Sequence, residues 1–303
     1  MISPSSPSSP RSDPIGLIGL GLVGSELAQR LTAGGRSVIG YDINPERLAE
    51  FVQLGGAAAG NAADVFSSCK RVLVSLPSHR EVSSICALHA ASFCPGATII
   101  DTTTGDPASS EAIAASLQAQ GITYLDATIS GSSKQVRDGS AVMMVGGDAA
   151  GFAACQDLFD LLADATFHTG PSGSGAKMKL VTNLVLGLNR AALAEGLAFA
   201  EGLSLDLALV LKIMRRSPAY SRAMDVKGDK MIQKDFSPEA RLSQHLKDVR
   251  LIVEAGIASG LPMSLSLAHR AILEHAEAEG HGELDNSAVI RVLSARDSIR
   301  TVM

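Results

Sequence analysis

The strongest constraint on how this chain folds is a short apolar run that ends in a patterned set of glycines. Ile15-Gly16-Leu17-Ile18 reads as a buried strand. Gly19-Leu20-Gly21-Leu22-Val23-Gly24 follows at once, and apolar residues then recur at helical spacing from Val23 to Leu31. Alone, Gly-x-Gly-x-x-Gly is a weak signal in a chain with 29 glycines. Its setting gives it weight: a strand before, a helix after, and Asp42 ending the next candidate strand about 20 residues on. Gly19 permits the tight turn, Gly21 lets the backbone approach a pyrophosphate, and Gly24 allows the helix to lie close on the strand. The helix N-terminus adds unpaired N–H groups and the positive end of its dipole. Gly19, Leu20, Gly21, Leu22, Val23 and Gly24 therefore form a candidate dinucleotide site. Asp42 suits the adenosine ribose hydroxyls and would repel a 2′-phosphate, so NAD is expected in preference to NADP. Arg47 lies near enough in sequence to weaken that preference.

The same alternation continues downstream. Ser37 to Asp42, Val72 to Leu76, Ala97 to Asp101, Thr123 to Asp126 and Ala141 to Val145 read as strands, with helical stretches at Asn44 to Phe51 and Ser109 to Gln120. Strands alternating with helices argue for a parallel sheet covered on both faces. The character changes near Gly170. Pro171 to Gly175 is a loop, and Ala176 to Leu203 reads as one long helix, apolar almost all round. Further helices are expected at 205–216, 242–259, 264–279 and 287–297. The fold class is an α/β Rossmann-type N-terminal domain with a parallel-rich sheet, then a long interdomain helix and an all-α C-terminal domain. Its parts are a disordered Ser/Pro tail at 1–13, a dinucleotide-binding domain at 14–170 and a helical domain at 171–303 containing the long helix at about 176–203.

Composition excludes several classes. Of 303 residues, 46% are hydrophobic and 19% charged, as in a well-cored globular protein, and a net charge of −5 leaves no basic footprint for nucleic acid. The tail lacks the apolar core of a signal peptide, and no stretch is long and apolar enough for a membrane span, so a cytoplasmic location is expected. The four cysteines form no CxxC pair, and the expectation is small buried hydrophobes in a reducing compartment, with no metal site.

Three further stretches make a family resemblance specific. Asp126-Ala127-Thr128-Ile129-Ser130-Gly131-Ser132 resembles the substrate-binding Asp-Ala-Pro-Val-Ser-Gly-Gly of the β-hydroxyacid dehydrogenases. Gly170 through Gly175 with Lys179 and Asn183 resembles that family's catalytic Gly-x-x-Gly-x-Gly-x-x-x-Lys-x-x-x-Asn. Lys247-Asp248 resembles its Lys-Asp pair. With the glycine turn, these motifs occur in the family's order over most of the chain. The family is that of 3-hydroxyisobutyrate dehydrogenase and tartronate semialdehyde reductase, more distantly similar to 6-phosphogluconate dehydrogenase. The resemblance implies that Ser130, Gly131 and Ser132 bind a substrate carboxylate, that Lys247 serves substrate and cofactor from the helical domain, and that Leu76, Pro77 and Thr104 lie at the cofactor's nicotinamide edge. The implied substrate is a small carboxylic acid.

Alcohol oxidation by NAD needs a base for the hydroxyl proton while hydride departs. Lys179 is the candidate, and Asn183, four residues on, projects from the same helix face and orients it. A lysine at the start of a largely apolar helix is partly desolvated, which lowers its pKa towards the working range. Lys177 points to another face and is left to the surface; His245 is read as a packing or surface residue. Thr128 for Pro, Ser132 for Gly, and Ala240 where an aromatic is common depart from the family. They suggest a roomier, more polar pocket for a hydroxylated or larger β-hydroxyacid. Two rivals remain: an imine or other carbonyl-equivalent reductase on the same scaffold, which usually lacks this lysine, and a non-catalytic NAD-binding interaction module. The apolar 176–203 helix needs cover on several faces, so a homodimer or homotetramer is expected.

Overall fold

The computed structural model describes residues 13–294. All but the last residue of the expected 1–13 tail, and the end of the expected 287–297 helix, lie outside them. The chain divides into two compact units, with the boundary between Lys177 and Met178.

The first unit is built on one eight-stranded sheet with strand order β3-β2-β1-β4-β5-β6-β7-β8. Its strands are β1 (Ile15–Ile18), β2 (Val38–Tyr41), β3 (Ala57–Ala58), β4 (Arg71–Val74), β5 (Thr98–Asp101), β6 (Thr123–Ser130), β7 (Val142–Gly146) and β8 (Ala165–Gly170). Neighbours run parallel except β6 and β7, where Asp126 pairs with Gly146 and Ser130 with Val142 in antiparallel register. The reason is the short connection: between β6 and β7 there is room only for α6 (Ser133–Arg137), too little for a full parallel crossover. β8 is not anticipated by the pattern, since Ala-Thr-Phe-His-Thr-Gly lacks a clear apolar run; its middle residues are exposed.

Alternate residues of the central strands enter two separate cores. Ile15, Leu17, Leu73 and Ile100 join the core under α1 (Leu22–Ala33) and α8 (Gln156–Leu162). Ile18, Val72, Val74 and Ile99 join the opposite one, under α3 (Ala62–Ser68), α4 (His79–Leu88) and α5 (Pro107–Gln118). Burial on both faces explains why the strands read as continuous apolar runs. Local signals set the helix starts: Asn44 caps α2 (Pro45–Gln53) and Asp106 caps α5, each with proline in the first helical position. α7 (Ala149–Ala154) completes this unit's helices before α9 (Ser174–Gly202), which begins in the first unit and continues into the second.

The second unit contains no strand among its described residues. Beyond α9 it holds α10 (Leu207–Met214), α11 (Arg222–Gln233), α12 (Leu242–Ala258), α13 (Ser264–Ala276) and α14 (Ile290–Ser294). Leu193, Leu197, Leu246, Val249 and Leu273 centre its core. α11 escapes the sequence pattern because a lysine occupies a core position: Lys227 is buried against Asp285 at 2.9 Å and Glu239 at 3.2 Å. No described helix is long and apolar enough to cross a membrane. Cys69, Cys86 and Cys155 are buried, while Cys94 is partly exposed and donates its thiol to the Ser67 carbonyl.

Candidate active site

The sheet reverses its winding between β1 and β4, and the glycine turn leaves β1 at that point. Gly19 has φ +92°, and a Cβ there would lie 2.2 Å from the Ser75 carbonyl oxygen at the end of β4. At Gly24 a Cβ would lie 2.0 Å from the Gly19 carbonyl oxygen. These two glycines are required by the fold itself. Gly21 differs: the nearest atom to its Cβ position is Arg47 Nη1 at 4.0 Å, which leaves open space above the backbone. Gly21 is also the N-cap of α1 and offers no side chain to the first turn, so the helix presents its N–H groups to an incoming anion. This cradle fits a dinucleotide pyrophosphate.

Asp42 follows β2 and is braced from both sides. Its Oδ2 accepts the Leu20 N–H at 2.7 Å and its Oδ1 accepts the Asn44 N–H at 2.8 Å. Arg47 Nη1 lies 3.6 Å from Oδ2. Each carboxylate oxygen retains acceptor capacity for a hydroxyl.

At the ends of β4 and β5 two expected cofactor-edge turns are tied together. Leu76 donates its N–H to Thr103 Oγ1 at 3.1 Å, and Thr103 donates its own N–H to Asp101 Oδ1 at 2.9 Å. Asp101 Oδ2 accepts the Tyr124 hydroxyl at 2.7 Å. Burial pushes Asp101 up to about 6 although these hydrogen bonds oppose it. Thr104 sits one residue beyond this brace. Asp101 and Tyr124 are not among the site residues expected from sequence; an aspartate ending a strand just before consecutive threonines was the available signal.

Asp126 in β6 holds the start of α9: Oδ1 accepts the Gly173 N–H at 2.9 Å and Oδ2 the Ala176 N–H at 2.8 Å. A Cβ on Gly175 would lie 2.2 Å from the Asp126 carbonyl oxygen, so the glycine-rich stretch before Lys179 is dictated by close packing on β6. Thr128 is fully used by the scaffold, its hydroxyl lying 3.0 Å from the Gly175 carbonyl and 3.3 Å from that of Met144. It therefore does not supply the pocket polarity expected of it. Ser130 ends β6, Gly131 follows, and Ser132 is the N-cap of α6 in a reciprocal capping box with Gln135. Arg137 ties this segment to Glu26 of α1.

In the second unit, Lys179 and Asn183 are both more than nine-tenths buried. Asn183 Nδ2 donates to Asp248 Oδ2 on α12 at 3.0 Å. Burial holds the Lys179 ammonium pKa below its ordinary value; Asp248 opposes this and Arg190 adds to it. Burial raises Asp248 to about 6 against the pull of Lys179, Lys247 and the Asn183 amide. Lys247, adjacent in α12, thus contributes positive potential to this cluster. His245 is buried rather than exposed, its ring 5.3 Å from that of His269, and burial keeps it well below the usual histidine range. Lys177 lies outside the cluster, exposed and paired with Glu111. The cluster thus joins a buried lysine, whose charged form burial disfavours, to an amide that a carboxylate orients, a set able to move a proton at the Lys179 amine.

The chain is similar to known proteins over most of its length. Residues 14–170 match the family described as the NAD binding domain of 6-phosphogluconate dehydrogenase. Residues 173–293 match that described as the NAD-binding domain of NADP-dependent 3-hydroxyisobutyrate dehydrogenase. The chain is 32% identical over 286 residues to 2-(hydroxymethyl)glutarate dehydrogenase of Eubacterium barkeri, covering 93% of this chain and 95% of that one. It is 29% identical over 282 residues to L-threonate dehydrogenase of Cupriavidus necator, covering 92% and 95%. Among solved structures, 3-hydroxyisobutyrate dehydrogenase from Salmonella typhimurium superposes with a TM-score of 0.85 at 25% identity, covering 93% of this chain and all of that one.

Proposed function

The chain belongs to the β-hydroxyacid dehydrogenase family, an oxidoreductase family with NAD(P)-binding domains, and on that premise we propose that it interconverts a β-hydroxyacid and its semialdehyde or keto form. The observation that carries the proposal is the buried Lys179 beside Asn183, whose amide is held by Asp248. In oxidation Lys179 Nζ takes the hydroxyl proton; in reduction its ammonium returns it to the developing alkoxide. Asn183 orients the reacting oxygen. Ser130, Gly131, Ser132 and Lys247 receive the substrate carboxylate, and Leu76, Pro77 and Thr104 border the nicotinamide. Bound NAD supplies the hydride acceptor.

The braced Asp42 supports NAD over NADP, since a carboxylate there repels a 2′-phosphate; Arg47 at 3.6 Å reduces the margin. With the Thr128 hydroxyl engaged by the scaffold, the case for a hydroxylated or larger substrate leans on the acids named for the relatives, L-threonate and 2-(hydroxymethyl)glutarate. Met178, Val181, Val185 and Phe199 leave α9 with large exposed apolar side chains. That supports a homodimer or homotetramer, to be checked by light scattering, where a monomer at assay concentration refutes it. A cytoplasmic location is part of the same reading.

The decisive test compares Lys179→Ala with wild type on 3-hydroxyisobutyrate, D-glycerate, L-threonate and 2-(hydroxymethyl)glutarate, with NAD and NADP. Turnover should fall at least about a hundredfold while cofactor still binds. Unchanged turnover removes the mechanism, and 3-hydroxyisobutyrate as the clear best substrate removes the substrate class.

A further inference from the structure

Two helices of the first unit leave the candidate binding turns: α1 begins at the glycine turn, and α6 directly follows Ser130, Gly131 and Ser132. Glu26 and Arg30, four residues apart on one face of α1, both reach the α6 segment. Glu26 is only 7% exposed, and its two carboxylate oxygens receive one guanidinium: Arg137 Nε donates to Oε2 at 2.8 Å and Nη2 donates to Oε1. Arg30 donates Nη1 to the Arg137 carbonyl at 3.1 Å. Its Nε and Nη2 go to the Leu161 carbonyl near the end of α8, at 2.8 and 2.6 Å. Gly139 makes room for that guanidinium, since a Cβ there would lie 2.6 Å from both Nη1 and Nη2.

The grip extends to the loop before α6. Ser132 and Gln135 hold the start of α6 in their capping box. A Cβ on Gly131 would lie 3.1 Å from Ala141 Cβ and 3.3 Å from Gln135 Cβ, so the loop packs closely on the α6 segment. Val136 is buried in the same core as Leu27 and Leu31 of α1. That apolar contact holds the two helices together but leaves a five-residue helix free to rotate or slide. A two-point contact between a guanidinium and a carboxylate fixes orientation as well as charge. Exposed ion pairs contribute little, but here the acid is buried, and removing the cation leaves it uncompensated.

We propose that Glu26 and Arg137 are positioning residues: their ion pair, with Arg30, fixes the 130–132 loop on the helix that carries the cofactor turn, and so sets the substrate carboxylate in register with the dinucleotide. This rests on the reading of Ser130, Gly131 and Ser132 as the carboxylate loop. The pair acts on the acid's site and leaves the N–H groups of the glycine turn as they are.

The experiment compares Arg137→Gln, Glu26→Gln, the double variant and Arg137→Lys with wild type. The acid is whichever of 3-hydroxyisobutyrate, D-glycerate, L-threonate and 2-(hydroxymethyl)glutarate wild type oxidises best. In Arg137→Gln its KM should rise about fivefold to tenfold, while the Kd of NADH from fluorescence titration stays within about twofold. The double variant should match the worse single, because the two side chains act as one unit. Arg137→Lys keeps the charge, should fall between, and carries the comparison if glutamine prevents folding. An unmoved KM, a Kd that weakens as much as KM rises, or single effects that multiply in the double variant each overturn the proposal. Hydrogen exchange on the same proteins needs no substrate. In Arg137→Gln it should quicken at 130–139 and not at 72–76, and unchanged exchange at 130–139 overturns the proposal. If wild type oxidises none of the four acids, the proposed function fails and exchange alone decides the role of the pair. Ser130→Ala is assayed in parallel. An unmoved KM there refutes the carboxylate loop, whereas a raised KM there with an unmoved one in Arg137→Gln refutes only the ion pair's role.

Discussion

Replacing Asp248 by asparagine should stabilise the protein at alkaline pH and leave its stability unchanged in acid. An unfolded aspartate titrates near 3.9. In the folded protein burial raises Asp248 to about 6. An acid with a raised native pKa holds its proton more tightly when folded. It therefore lowers stability above about pH 6 and ceases to do so below about pH 4, where both states are protonated. Two pKa units set a ceiling of about 3 kcal/mol on that cost. Asparagine keeps an acceptor for the Asn183 amide, now 3.0 Å from Oδ2. The value of about 6 already includes the favourable pull of Lys179, Lys247 and the Asn183 amide on the carboxylate, so their loss is not subtracted again. The expected net gain is about 2–3 kcal/mol at about pH 8, fading to nothing near pH 4. Urea unfolding of both proteins across this range, with unchanged m, measures it. Turnover should fall even as stability rises, because the Asn183 amide loses the carboxylate that orients it. The same destabilisation by Asp248→Asn at both ends of the range would refute the reasoning, since a raised carboxylate cannot give a pH-independent loss.

The two glycines of the turn should separate folding from binding. Gly24→Ala puts a Cβ 2.0 Å from the Gly19 carbonyl and should cost at least about 3 kcal/mol or prevent folding, seen as a lost or lowered thermal transition. Gly21→Ala meets nothing closer than Arg47 at 4.0 Å, so it should fold normally and lose cofactor affinity in a fluorescence titration. Asp285→Ala strips the carboxylate from buried Lys227 and should destabilise by about 3–5 kcal/mol in thermal unfolding. Asp157→Ala breaks only the partly exposed pairs with Arg36 and Arg71 and should change stability by less than about 1 kcal/mol.

Residues that act locally are legible in the sequence itself. The glycine turn, the caps at Asn44 and Asp106, the doubly buried strands and the long α9 follow from backbone geometry and from periodicity, which act over a few residues. The turn by itself speaks only for nucleotide binding. The hydroxyacid reading comes from Ser130, Gly131, Lys179 and Asn183 through their likeness to a family. Long-range pairing decided the rest. Antiparallel β7, the Asp101–Tyr124 brace, the hold of Asp126 on the start of α9 and the pairing of Lys227 with Asp285 each join residues far apart in sequence. A lysine in a helix reads as surface until its partner is known, which is why α11 escapes the pattern. For the same reason Arg190 reads as an ordinary interruption of an apolar helix. Only the tertiary structure buries it, at 5% exposure, with Nε and Nη1 left without a hydrogen-bond partner.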